Sequence, residues 1–120
     1  MQFDPVIPIW LQVMSAIETE VVTGQRPPGS KLPGGRETAL KYSINPNTAA
    51  RVYQELEKTG LCETRRGLGT FVTTDGAQIA LARERLAREA AGRYLRRAKE
   101  LGLSAREAAD MLMKEEEDHA

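Results

Sequence analysis

The chain has 120 residues, enough for one domain with a modest core and short for two of ordinary size. Its formal net charge is zero, which argues against a protein that coats nucleic acid through bulk charge and leaves room for a local basic patch. No apolar run approaches the roughly eighteen residues of a membrane span, and the single cysteine, Cys62, excludes an internal disulfide and most cysteine-ligated metal sites.

The opening "MQFDPVIPIWLQ" has an early Asp, two prolines and no basic leader, so it is not read as a secretory signal, and a cytoplasmic location is expected. "PIWLQVMSAIETEVVTG" then places Trp10, Met14, Ile17 and Val21 at helical spacing and stops at Gly24, a suitable C′ residue. "QRPPGSKLPGG" cannot be helix, because its prolines remove donors and restrict the residues before them. It reads as a turn with a short extended piece at Lys31 and Leu32. "RETALKY" is a short helix, with Ser43 and Ile44 as the link to the next.

That next helix is the best signed. Asn45 is a favourable N-cap, and Pro46 at the first helical position gives up a donor that would be orphaned anyway. Ala49, Val52, Tyr53 and Leu56 form the buried stripe, so Asn47, Thr48, Arg51 and Gln54 face outward, and Gly60 ends the helix. "LCETRRGLGTFV", two short runs around Gly67 and Gly69, predicts a hairpin from Leu61 to Val72. Two helices joined by a tight turn, the second leading with small polar side chains, make a helix-turn-helix, and the hairpin makes it winged. A helix entering the major groove leads with its N-terminus, where free N–H groups and the macrodipole favour phosphate. Asn and Thr there can reach base edges or phosphate oxygens, and Arg51, one turn deeper, a guanine or a phosphate.

"PIWLQ", "SKLPGGRETA", "NPNTAARVYQELEKTGL" and "RRGLGTFV", in this order and spacing, resemble the GntR family of bacterial transcription regulators over residues 8–73. The "NPNT" start with a short tail is most similar to the YtrA-like subgroup. The resemblance implies a homodimeric repressor that binds a palindromic double-stranded DNA operator. It puts a base or phosphate contact on Arg36 and recognition-helix contacts on Asn45, Asn47, Thr48 and Arg51. The wing, which in the family touches backbone or minor groove, falls on Arg65, Arg66, Gly67, Gly69 and Thr70. The chain departs from the pattern at Gly34 and Gly35, where many members have Ser and Glu, and at Pro46 and Ala50, where many have Arg.

From Asp75 the composition shifts to Ala, Arg, Glu and Leu. A helical face runs through Ile79, Ala82, Leu86, Ala90, Tyr94 and Leu101, broken only by Gly92. Ser104 with Glu107 three residues on is a capping-box pattern, opening a second helix with Ala108, Met111 and Leu112 on one face. Two such helices are too small for a ligand-binding domain of ordinary size. They can meet the same pair from a second copy, and about 800 Å² per partner would reach a standard interface. The expected organisation is therefore a winged helix-turn-helix over 1–74 and a helical dimerisation tail over 75–120, the latter acting through Ile79, Leu86, Tyr94, Leu101, Met111 and Leu112.

The tail arginines are read as a solvated face, since Glu84–Arg88 and Glu89–Arg93 are favourable i,i+4 pairs. "KEEED", acidic at a helix C-terminus, is expected to fray. Cys62 is read as a small hydrophobe, and Trp10 and Tyr53 as core or interface. No carboxylate pair, nucleophile elbow, phosphate loop or metal cluster stands out, and the lone His119 lies in the tail, so neither an enzyme nor a cofactor is expected. No motif specifies a small-molecule effector. The alternative to a DNA-binding regulator is a winged-helix module for protein–protein interaction, because fold does not fix function.

Overall fold

The computed structural model describes residues 1–119 and is mainly helical with one small hairpin. In chain order the elements are α1 (Ile9–Val22), α2 (Gly35–Tyr42), α3 (Pro46–Lys58), β1 (Cys62–Arg65), β2 (Gly69–Val72), α4 (Gly76–Glu100) and α5 (Ala105–His119). The chain separates into two compact units, Met1–Arg83 and the segment from Glu84 onward. The first turns of α4 therefore belong with the winged helix, where Ile79 packs against the core and Ala82 is part of it.

The first unit is built on the apolar stripes of α1 and α3. Val13, Ile17 and Val21 from α1 meet Val52 and Leu56 from α3 in one cluster with Leu32, Leu61, Cys62 and Val72. Gln12 holds the entry to α1. Its amide nitrogen donates to the Asp4 and Ile7 carbonyls at 2.8 Å each, and its oxygen accepts from the Asp4 N–H at 2.9 Å. Glu20, on the far turn of α1, ties the helix to the linker and to α2. It receives Arg26 Nε at 2.7 Å and the Tyr42 hydroxyl at 3.4 Å, with Lys41 Nζ at 3.7 Å.

The turn between α2 and α3 sets their relation. Ile44 N–H bonds the Ala39 carbonyl at 2.9 Å and Ser43 N–H the Leu40 carbonyl at 3.3 Å, a Schellman ending. Ser43 takes the left-handed position at φ 53°, ψ 49°, where glycine is the usual occupant. The buried Thr38 hydroxyl lies 2.8 Å from the Tyr53 hydroxyl, which donates to the Pro33 carbonyl and so pins α3 beneath the start of α2. As the sequence implies, α2 lacks a side-chain cap, its N-cap being Gly34, whereas Asn45 caps α3 through Oδ1 accepting from Asn47 N–H at 2.8 Å.

β1 and β2 pair antiparallel with Cys62 opposite Val72 and Arg65 opposite Gly69. The extended piece around Lys31 adds a third rung to β2. Gly29 N–H reaches the Val72 carbonyl at 3.0 Å, and Val72 N–H the Ser30 carbonyl at 2.8 Å. Leu32 N–H reaches the Thr70 carbonyl at 2.8 Å, with Lys31 opposite Phe71. Pro27, Pro28 and Pro33 bracket this piece and keep it short.

In the second unit, α4 runs unbroken through Gly92 and closes on a second Schellman turn at Gly102, φ +89°, with Leu103 N–H on the Ala98 carbonyl at 3.0 Å. α5 opens with the reciprocal bonds of a capping box, Glu107 N–H to Ser104 Oγ at 3.1 Å and Ser104 N–H to Glu107 Oε1 at 3.0 Å. The Tyr94 hydroxyl donates to the Ala108 carbonyl at 2.8 Å and ties the two helices. The acidic run is not frayed: α5 stays helical to His119, whose Nε2 lies 3.1 Å from Glu115 one turn back.

Candidate nucleic-acid interface

The capped start of α3 determines what this face offers. Pro46 fixes the first helical φ, and the chain has no acidic residue in the first turn, so the positive end of the helix dipole is unopposed. Asn47 and Arg51 are exposed and Thr48 is half-buried, with Ala50 and Gln54 also open to solvent. Asn45 is exposed, but its carbonyl oxygen is committed to the cap, which leaves its amide N–H groups as the available donors. Arg36, on the first turn of α2, shares an open depression of about 520 Å³ with Ala39, Leu40, Ser43, Ile44 and Pro46. Arg36 and the front of α3 are thus neighbours, as a helix-turn-helix requires. Arg51 lies with its guanidinium 4.2 Å from the centre of the Trp10 ring.

The wing forms a second group. Leu68 N–H bonds the Arg65 carbonyl at 2.9 Å across a tight turn whose third residue, Gly67, has φ +78°, the conformation of a type II turn. Gly69 has φ +122°, and a Cβ there would stand 2.7 Å from Lys31 Cε. The glycine therefore lets the lysine side chain lie directly over the strand. Arg65 stacks on Phe71 at 4.6 Å and pairs with Glu63 at 2.9 Å, so part of its charge is already answered. Arg66, at the tip, is exposed and has no ion pair among the described residues. Thr70 is half-buried, with its hydroxyl 3.3 Å from that of Thr64.

Two residues of this surface escape a reading by motif. Lys31 joins the wing only through the third rung, which the bracketing prolines hint at but do not specify. Trp10 lies under Arg51 although 41 positions separate them, a pairing no local pattern reveals. Cys62 fits its reading as a hydrophobe. It is buried, and burial together with the Glu57 carboxylate pushes its thiol up to about 12.

Of the residues named for self-association, Ile79 is half-buried against the core of the first unit, and Leu86 and Tyr94 are half-buried. Leu101, Met111 and Leu112 are exposed, with Met113 beside them. No group of acids, histidine and cysteine among the described residues could hold a metal ion, and no described helix is long and apolar enough to cross a membrane.

Comparison with known proteins agrees with this geometry. The family model for bacterial regulatory proteins, gntR family, matches residues 10–72. The chain is 40% identical to the HTH-type transcriptional regulator YhcF of Bacillus subtilis across 88% of each chain. It is also 40% identical to the HTH-type transcriptional repressor YtrA of Bacillus subtilis, over 60% of this chain and 57% of that one. A GntR family transcriptional regulator from Listeria monocytogenes superposes with a TM-score of 0.85 at 34% identity, covering 93% of this chain and 98% of the other. The DNA-binding domain of AraR, solved in complex with its operator ORX1, matches 61% of this chain and 93% of its own length at 25% identity and a TM-score of 0.57. With three helices, the wing and these relatives in agreement, the chain belongs to the GntR family of DNA-binding bacterial transcription regulators, which are not enzymes.

Proposed function

We propose that this protein is a cytoplasmic repressor of the YtrA-like subgroup that binds a palindromic operator as a homodimer. In this reading the leading turn of α3 enters the major groove, with Asn45, Asn47, Thr48 and Arg51 at base edges or phosphates and Arg36 beside them. Arg65, Arg66, Gly67, Gly69 and Thr70 of the wing lie on the backbone or minor groove of the same half-site, and Lys31 adds a cation at the wing's edge. Residues 1–74 bind DNA, and 75–120 bring two copies together. The observation that carries the reading is the start of α3: exposed, capped by Asn–Pro, free of acid, and backed by an arginine one turn in. The repressor named YtrA and the AraR domain on its operator lend support by similarity. A zero net charge is compatible with it, because Lys31, Arg36, Arg51, Arg65 and Arg66 supply local cations whatever the sum over the chain.

The test is salt dependence. Each phosphate neutralised releases counterions, so the logarithm of affinity should fall linearly with the logarithm of salt. Arg66→Ala should weaken binding to all duplexes about equally and reduce that slope by about 1. An unchanged slope would remove the wing tip from the DNA. Salt-independent binding, or none, would favour a protein-interaction role for the fold.

A further inference from the structure

The environment of Arg51 is unlike that of an ordinary surface arginine. Trp10 stands at the second position of α1, half-buried and packed against the core, so its ring is a fixed object. The Arg51 guanidinium lies over that ring at 4.2 Å. Arg65 is stacked in the same way on Phe71, but its fork is held by Glu63. Arg51 has no carboxylate partner among the described residues.

That difference separates face from edge. Stacking uses the flat face of the guanidinium, while its five N–H donors lie in the plane and point outward at the rim. A platform beneath Arg51 restrains the side chain, and no hydrogen-bond acceptor or carboxylate among the described residues claims its donors. An arginine that must be immobilised on binding lowers affinity by about 2- to 12-fold through lost rotamer freedom. One already stacked in the free protein avoids most of that loss.

We propose that Trp10 is a positioning residue for DNA readout, which holds Arg51 extended with its donor edge free. The proposal rests on the reading of Arg51 as a DNA contact. Trp10 touches no DNA itself; it acts through Arg51 alone. Because both residues lie in one compact unit, the effect belongs to each half-site separately and needs no change in the dimer.

The test is a double-mutant cycle in the full chain, read on a duplex that the wild type selects from a random pool. Trp10→Leu should lower affinity for that duplex by about 2- to 12-fold. In an Arg51→Ala background it should cost nothing further. Trp10→Phe, which keeps an aromatic face, should retain most of the affinity, and it serves if the leucine variant does not fold. Trp10 is the sole tryptophan, so its fluorescence in the free protein should change on Arg51→Ala. Equal penalties with and without Arg51 would make Trp10 a plain packing residue and overturn the proposal while leaving the function intact. Unaltered emission in Arg51→Ala would overturn it by showing that the stack does not exist in solution. A wild-type chain that selects no duplex would overturn the functional reading and this proposal together.

Discussion

Cys62 shows how a side chain that invites a chemical role is claimed by packing. It sits at the head of β1 beside Leu61, with Val72 opposite, and its thiol is pushed up to about 12 by burial first and by Glu57 second. The folded protein thus keeps a proton that the unfolded chain, with a thiol near 9.0, gives up. In that window the unfolded state binds fewer protons, so stability should be complete below pH 9 and fall as pH rises toward 12. Urea unfolding across this range should show the decline in the wild type and a smaller one in Cys62→Ala. A thiol reagent at pH 8 should label the native chain only at the rate of unfolding, because the thiolate is the reactive form. Rapid labelling of folded protein would revive a redox role.

The elements bear out most of what the spacing of residues implies, for reasons that can be located. α3 begins at Pro46 because Asn45 and Pro46 are local instructions, and its stripe is buried because 3.6-residue periodicity is local too. The capping box at Ser104 and Glu107 was equally legible. What local pattern did not contain was contact across distance: the third rung at Lys31, the seat of Arg51 on Trp10, and the packing of Ile79 against the winged-helix core. The persistence of helix through the acidic run to His119 also goes beyond the dipole argument. The wing offers a graded test of these distinctions. Gly69→Ala places a side chain at φ +122°, and should destabilise the chain by about 1–3 kcal/mol. The crowding against Lys31 adds little, because a lysine end can swing aside. Gly67→Ala, at φ +78° with open space around it, should cost only about 1 kcal/mol. Urea titration of the two variants checks the order, and a reversal would mean that the hairpin is shaped otherwise than described.

Taken whole, the proposed division of labour is between a small winged helix that fits one half-site and helices that bring two half-site readers together. Leu101, Met111, Leu112 and Met113 are exposed in the single chain, an apolar set that water does not favour. Replacing Met111 and Leu112 together by Glu should leave the fold of one chain intact and shift the sedimenting species from dimer to monomer. Affinity for a palindromic duplex should then fall much more than affinity for a single half-site, since the second contact is no longer intramolecular. A dimer that survives the double substitution would move the interface elsewhere. In the proposed complex the front of α3 and the wing contact one face of duplex DNA in a two-fold symmetric pair, and selection of bound duplexes from a random pool by the full chain is the decisive measurement. An inverted repeat should be enriched, with half-site centres about 34–36 Å apart or a multiple of one helical turn. Enrichment of no sequence, or of a single unrepeated element bound by one copy, would contradict it.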